Sequence, residues 1–141
     1  MQDHFITKDL EGYIDYGEGM TMIYRAEDGA EVLDVHQNSC NLAVNSYGQG
    51  RGVYIAGMPY SIQNTRLLSR AIFWAAHQED QLYSWFSVNP NVECHAYPET
   101  GRYCAVNNTS EIQKTTILME NDRRQVLDLN GMESVWMDMN I

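Results

Sequence analysis

The sequence predicts an α+β protein, with an α/β part over residues 1–88 and a small all-β part over residues 89–141. One segment after Ser61 repeats its apolar residues at helical spacing, and the runs before it have the character of strands. After Pro90 two hairpin signals follow each other. These three observations predict one clear helix packed on a sheet, followed by a β unit.

Four short runs in the first part have the composition of β-strands. They lie at Met20–Arg25, Glu31–Val35, Asn41–Tyr47 and Val53–Ala56. The last run is almost entirely apolar, which is typical of a strand that is covered on both faces. We therefore expect a sheet within residues 20–57.

The predicted helix begins near Ile62, with Ser61 as its N-cap. Helical spacing predicts an inward apolar face and an outward polar face. The inward face would carry Leu67, Leu68, Ala71, Ile72 and Ala75, and the outward face Arg66, Ser69, Arg70, Phe73 and His77. Gln81–Phe86 is a candidate for a short second helix.

The outward face of this helix carries no acidic residue, although the protein is acidic overall. One interpretation is that Arg66, Arg70 and Phe73 dock onto another part of a larger protein or onto a second subunit, with Phe73 as the apolar anchor. The other is a solvated stripe with an incidental aromatic residue. The sequence leaves both open.

The second part contains two predicted hairpins and a last strand. Pro98–Gly101 and Glu120–Arg123 supply the two turns. The flanking strands are Val92–Tyr97, Arg102–Val106, Lys114–Met119 and Arg124–Leu129, and the last strand is Ser134–Met139.

Charge is distributed unevenly along the chain, whose net charge is −10. Residues 1–34 hold nine acids and two bases, residues 35–78 three arginines and no acid, and residues 79–141 ten acids and four bases. The acidic balance disfavours nucleic acid and anionic membranes as partners. The basic middle either packs beside the acidic start or faces an anionic ligand, and the first is the more common arrangement.

Residues 48–52, Gly-Gln-Gly-Arg-Gly, invite comparison with a phosphate-binding loop. Such a loop needs a helix after its glycines, so that the helix N–H groups point at the phosphate. Here a predicted strand follows. A β-turn with positive-φ glycines is therefore the favoured interpretation.

Glu93 and His95 lie on one face of a predicted strand, because side chains alternate along a strand. If Tyr97 pairs with Arg102, then His95 lies opposite Cys104. The three side chains Glu93, His95 and Cys104 would form a metal or thiol site, or a half-buried structural cluster. A shift of one residue in the register removes the arrangement, which favours the structural interpretation.

No sequence pattern assigns a catalytic, cofactor-binding or metal-binding residue. The chain has no nucleophile elbow, no HExxH and no pair of carboxylates fixed by a motif. Tyr83, Trp85 and Phe86 could stack on a sugar ring, although such a cluster more often seals one domain against the next.

Three widely spaced cysteines, Cys40, Cys94 and Cys104, predict free thiols in a reducing, cytoplasmic compartment. Their number is odd, there is no CxxC, and the first residues lack the pattern of a signal peptide. Asn107 and Asn108 each begin a glycosylation pattern. Without a secretion signal we expect neither to be used.

Several long runs resemble the bacterial 1,3-β-galactosyl-N-acetylhexosamine phosphorylases, also called galacto-N-biose/lacto-N-biose phosphorylases. The runs that carry this resemblance are residues 48–61, 64–68, 70–76, 91–98 and 100–109, with a shorter one at 15–19. They cover nearly the whole chain. Residues 118–123 and the methionine-rich tail 136–141 depart most from the family pattern, which leaves the acceptor sugar open between N-acetylglucosamine, N-acetylgalactosamine and rhamnose.

The resemblance implies a fold and a place in a larger enzyme. The family combines a (β/α) barrel, a glutamine-amidotransferase-like α/β domain and a small, sandwich-like β domain, and this chain would be the end of the second and all of the third. The family cleaves β-galactosides with inorganic phosphate and inversion, without a cofactor, giving α-galactose 1-phosphate. Its general acid, phosphate site and disaccharide site lie in the barrel. The resemblance therefore implies a non-catalytic region whose partner is the rest of the phosphorylase, with a homodimer possible.

Overall fold

A computed structural model describes residues 1–8, 10, 12–18, 23, 28–36 and 38–139 of the chain. The chain divides into two compact units, Met1–Glu79 and Asp80–Ile141. Most of the structure is antiparallel β-sheet, and the described residues contain one α-helix. This β-rich architecture agrees with the predicted α+β class in its secondary-structure content.

The first unit contains a three-stranded antiparallel sheet in the order β1-β2-β3. Its strands are β1 (Ala30–His36), β2 (Ser39–Tyr47) and β3 (Gly50–Ile55), which confirms three of the predicted strands. The prediction at Met20–Arg25 lies outside the described residues, apart from Ile23, which forms a bridge with Cys40.

The expectation that residues 53–56 are covered on both faces was wrong. They are only half-buried, because β3 lies at the edge of the described sheet. The central strand β2 instead has consecutive buried residues at Leu42, Ala43 and Val44. An apolar run shows that a strand is hydrophobic. Whether both faces of the strand are buried depends on its place in the sheet.

Helix α1 spans Ile62–Ala75 and begins as predicted. The Ser61 side chain accepts a hydrogen bond from the Asn64 backbone N–H at 3.0 Å, which satisfies one donor of the first turn. The buried Asn64 side chain donates to the carbonyls of Asp15, at 2.9 Å, and Pro59, at 2.7 Å. The helix packs on a core that includes Leu33 and Leu42 of the sheet.

The second unit contains two three-stranded antiparallel sheets, ordered β4-β7-β8 and β5-β6-β9. The strands are β4 (Phe86–Ser87), β5 (Val92–Tyr97), β6 (Arg102–Asn107), β7 (Gln113–Leu118), β8 (Arg124–Leu129) and β9 (Ser134–Asp138). Both predicted hairpins and the last strand are confirmed. The predicted short helix over residues 81–86 was wrong, since a single 3₁₀ turn ends at Gln81 and Phe86 begins β4.

One hydrophobic core joins the two sheets of the second unit. Val92, Tyr103 and Ala105 contribute from one sheet, and Ile117 and Leu129 from the other. This is the arrangement of a small β-sandwich. Residues 86 and 87 belong to it because β4 pairs with β7, although the sequence assigns them to the first part.

Among the described residues, no helix has the length and apolar character that a bilayer crossing requires.

Candidate functional site

The glycine-rich residues 48–52 form the turn between β2 and β3. Tyr47 pairs with Gly50 across it, and Gly48 has a φ of +59°, a conformation that glycine adopts without strain. Because β3 follows the turn, the glycines do not lead into a helix as they would in a phosphate-binding loop. The β-turn interpretation is confirmed.

The predicted register of the β5–β6 hairpin is confirmed, with Tyr97 opposite Arg102 and His95 opposite Cys104. His95 Nε2 lies 2.9 Å from Glu93 Oε2, and both side chains are about half exposed. Cys104 is buried between its neighbours. The described residues contain no group of three acidic, histidine or cysteine side chains that could hold a metal ion, so the pairing does not gather Glu93, His95 and Cys104 into such a site.

The aromatic residues around Trp85 are part of the second unit's own packing. Trp85 lies 4.9 Å from Tyr103, ring centroid to ring centroid, and packs on the core. Tyr83 and Phe86 form an edge-to-face pair at 5.5 Å. Trp85 therefore contributes to packing within the β unit.

The three cysteines are free thiols, as the sequence predicts. Cys94 pairs with Ala105 across the β5–β6 hairpin, and its side chain packs against the core. Cys104 lies on the opposite face of the sheet, because alternate residues of a strand point to opposite sides. Burial raises the pKa of the Cys94 thiol to about 12, and it also raises the pKa of Cys40 and Cys104.

We expect these thiols to be slow to react in the folded protein. At pH 8 a thiol with a pKa of 12 is ionised in only about one molecule in ten thousand, and the thiolate is the reactive form. Iodoacetamide at pH 8 should modify native Cys94 at least about a hundred times more slowly than the same residue in urea. Mass spectrometry of unreduced, denatured protein should find three modified cysteines, whereas a Cys94–Cys104 disulfide would contradict the assignment.

The predicted faces of α1 need correction, because Arg70 points inward. Its side chain is 1% exposed, and its Nη1 donates to the Phe5 carbonyl at 3.3 Å. The guanidinium also lies 5.4 Å from the Phe5 ring centroid. A segment some sixty-five residues away along the chain covers this arginine, which helical periodicity alone does not report. The contact supports the interpretation that the basic middle of the sequence packs beside the acidic start.

Two residues predicted to face inward are exposed instead. Leu68 is 41% and Ile72 58% exposed, whereas the buried residues of the helix are Asn64, Leu67, Arg70, Ala71 and Trp74. Ile62 is also exposed. At about 100° per residue, these three apolar side chains fall within roughly one third of the helix circumference. We call Ile62, Leu68 and Ile72 the α1 stripe.

The helix is thus apolar on two sides. One side packs on the sheet, and the α1 stripe faces away from the core of the first unit. Ile62, Leu68 and Ile72 therefore form an exposed apolar surface on the first unit.

Both units match domains of known proteins. The sequence profile described as the lacto-N-biose phosphorylase central domain matches residues 1–80, and the profile of the C-terminal domain of the same enzymes matches residues 85–137. The chain belongs to the lacto-N-biose phosphorylase family. The resemblance found in the sequence is therefore confirmed.

Individual members of the lacto-N-biose phosphorylase family align along most of this chain. Two 1,3-β-galactosyl-N-acetylhexosamine phosphorylases of Lachnoclostridium phytofermentans are 42% identical over 139 residues and 47% identical over 133 residues, covering 99% and 94% of the chain. The enzyme of the same name from Bifidobacterium longum is 42% identical over 125 residues, or 89% of the chain. The chain spans only 19%, 18% and 17% of the length of these three relatives.

Proposed function

We propose that this chain is the C-terminal, non-catalytic region of an inverting galactoside phosphorylase. The complete enzyme would cleave β-galactosyl-N-acetylhexosamine with inorganic phosphate, giving α-galactose 1-phosphate and the free N-acetylhexosamine. The observation that carries this proposal is the length relation, since the chain spans under a fifth of each relative and matches their central and C-terminal domains.

The chemistry of inversion supports a site outside this chain. A general acid must protonate the leaving oxygen while phosphate attacks the opposite face of the galactose ring, so acid, phosphate and sugar sites have to be held together. A (β/α) barrel takes about 250 residues, which is more than the 141 residues of the chain. The catalytic acid and both substrate sites therefore belong to the rest of the enzyme.

The first unit would be the end of a glutamine-amidotransferase-like α/β domain. Its described sheet has three strands, and α1 covers part of it. Larger α/β domains place helices against both faces of a longer sheet. The α1 stripe then becomes an internal contact, and preceding parts of the same polypeptide cover Ile62, Leu68 and Ile72.

The stand-alone alternative is an adaptor module without enzymatic activity. It predicts that the chain is stable and complete with the α1 stripe exposed to solvent or paired in a homodimer. The three free thiols fit a cytoplasmic location under either proposal.

We expect the isolated chain to show no phosphorolysis. Galactosyl-β-1,3-N-acetylglucosamine and inorganic phosphate would be incubated with the purified chain, and release of galactose 1-phosphate would be measured. The same assay on the full-length phosphorylase that contains this segment is the positive control. Turnover that co-purifies with the isolated chain would show that the catalytic residues lie within it.

The decisive variant is Ile72→Asp, tested in both contexts. In the full-length enzyme we expect it to cost about 2 kcal/mol or more of stability, because a charge would be buried in an apolar contact. In the isolated chain, where Ile72 is already exposed, the change should stay within roughly 0.5 kcal/mol. Thermal unfolding and phosphorolysis rate are the measurements.

The matched control is Ile112→Asp, the same substitution at a loop residue that is 73% exposed. It should be neutral in both contexts. Equal melting temperatures for Ile72→Asp and Ile112→Asp in the full-length enzyme would contradict the idea that other parts of the enzyme cover the α1 stripe. A change of oligomeric mass in the isolated chain alone would favour the adaptor.

A further inference from the structure

Two aromatic side chains lie together on the outer face of sheet β5-β6-β9. Tyr97 of β5 and Trp136 of β9 have ring centroids 5.3 Å apart and planes inclined by 33°. Trp136 is 51% and Tyr97 45% exposed. Cys104 of β6, the cross-strand neighbour of Trp136, is nevertheless buried. We call Tyr97 and Trp136 the aromatic platform, since they span the sheet and leave a wide ring surface in solvent.

Charged and polar side chains flank the aromatic platform. Arg102 Nε lies 3.7 Å from Asp138 Oδ1, and the Arg102 guanidinium is 5.4 Å from the Trp136 ring centroid. Glu93 and His95, on the same face of β5 as Tyr97, form the second pair. Hydrogen-bond donors and acceptors therefore surround the rings.

A recess beside the turn between β7 and β8 shares one residue, Asp138, with this face. It has a volume of about 300 Å³ and is lined by Tyr103, Met119, Arg123, Arg124, Gln125 and Asp138. Asp138 belongs both to the recess and to the ion pair with Arg102. This volume is at the lower limit of ligand pockets, which hold one small ring and its substituents.

The chemistry of this surface selects a neutral ring with polar edges. A pyranose presents C–H groups on one face and hydroxyl groups around its rim, so its face can pack on an indole while its rim contacts carboxylate and guanidinium groups. Galactose is well suited because its axial O4 leaves the opposite face with a continuous patch of C–H groups. An anionic ligand gains nothing from paired charges on a protein of net charge −10.

We infer that the aromatic platform is a galactoside-binding site. The exposed part of the Trp136 ring stacks on the galactose ring with Tyr97 packed against the indole, and Arg102 and Asp138 hydrogen-bond the sugar hydroxyl groups. The choice of a galactoside rests on the proposed function, whereas the choice of a pyranose rests on the surface itself. Such a site would hold substrate close to the enzyme.

The experiment is a titration of the ¹⁵N-labelled chain with galactosyl-β-1,3-N-acetylglucosamine, followed by NMR. The Trp136 indole N–H signal should shift in a saturable way, with a Kd of about 1–10 mM. Galactitol, which has the hydroxyl groups but no ring, should produce no saturable shift. Absence of saturation at about 50 mM disaccharide, or an equal response to galactitol, would overturn the inference.

Variants locate the binding surface. Trp136→Ala and Tyr97→Ala should each weaken binding at least about tenfold, and Arg102→Ala by about threefold. Because Trp136 is the neighbour of buried Cys104, circular dichroism checks each variant, and Tyr97→Ala provides the second test if Trp136→Ala unfolds. The matched control is Tyr47→Ala, an isolated and exposed tyrosine of β2 in the first unit. Binding that survives both platform substitutions would place the sugar elsewhere and overturn the assignment.

The result of the sugar titration does not depend on the tests of the proposed function, so each can contradict its own hypothesis alone. Sugar binding is measured on the chain itself and needs no turnover. Binding of cellobiose with equal affinity would keep the pyranose site and remove its link to galactosides, whereas loss of the α1 contact would leave the titration unchanged.

Discussion

We expect Asn107→Ala to destabilise the second unit by about 3 kcal/mol or more. Asn107 ends β6 and is 1% exposed. Its Nδ2 donates to the carbonyls of Glu111 at 2.8 Å, Asn130 at 2.8 Å and Leu129 at 3.3 Å. Its Oδ1 accepts from the backbone N–H and the hydroxyl of Thr109, both at 2.9 Å. Truncation would remove all these bonds at once and leave the buried Leu129 carbonyl without this donor, which costs more than the loss of that bond itself.

Two further variants make the expectation for Asn107 specific. Asn108→Ala changes the exposed neighbouring asparagine and should alter the free energy of unfolding by no more than roughly 0.5 kcal/mol. Asn107→Asp keeps the acceptor for Thr109 but aims an oxygen at three carbonyls, so it should be as damaging as alanine near neutral pH. Urea unfolding with hydrogen exchange over residues 107–133 would measure the effects. Equal stability of the Asn107→Ala and Asn108→Ala proteins would contradict this role.

The role of Asn107 was not visible in the sequence, where it began a possible glycosylation site. Its bonding partners come from two loops and the end of β8, and only the folded sandwich brings them together. A glycan could not be attached to this side chain in the folded unit, because the amide nitrogen is buried and donates three hydrogen bonds. A polar residue that joins distant segments by hydrogen bonds produces no periodic pattern in the sequence, so such a role cannot be predicted from it.

The β5–β6 hairpin could be predicted to the residue. Pro98–Gly101 defines the turn locally, with Gly101 in the left-handed conformation, and the turn fixes the register from Tyr97 and Arg102 onward. The Ser61 cap was predictable for the same reason, since both partners lie within one turn of helix. Local interactions determine these features before any tertiary contact forms.

The orientation of α1 could not be predicted in the same way. Its sequence carries apolar residues on two sides, so periodicity alone does not decide which side meets the sheet. The buried position of Arg70 depends on Phe5, a residue far away in the chain. The aromatic platform escaped prediction for a related reason, because Trp136 reaches Tyr97 only through the pairing of β9 with β6, two strands that are far apart in the sequence.

Close packing of two loops beside Asn107 makes Gly131 a second sensitive position. The loop of residues 108–112 follows β6, and the turn of residues 130–133 precedes β9. Met132 N–H donates to the Thr109 carbonyl at 2.8 Å, which holds the two segments together. A Cβ atom added at Gly131 would lie 2.1 Å from the Ser110 carbonyl oxygen and 2.5 Å from its carbon. Both are backbone atoms, which cannot rotate away as a side chain can.

Gly131→Ala should therefore destabilise the second unit by about 3 kcal/mol, at the upper end of the range for overpacking. The two loops must separate to admit the methyl group, and that movement lengthens the Met132–Thr109 bond and disturbs the start of β9, which carries Trp136. The matched control is Gly52→Ala, where an added Cβ meets no atom within 4 Å and the backbone φ is not positive. Gly52→Ala adds the same methyl group without a clash, so it should change the free energy of unfolding by no more than roughly 0.5 kcal/mol. Urea unfolding of both proteins measures the difference, and the Trp136 indole N–H signal reports whether β9 has moved. If Gly131→Ala unfolds at the same urea concentration as Gly52→Ala, the loops are not packed as the distance to Ser110 requires.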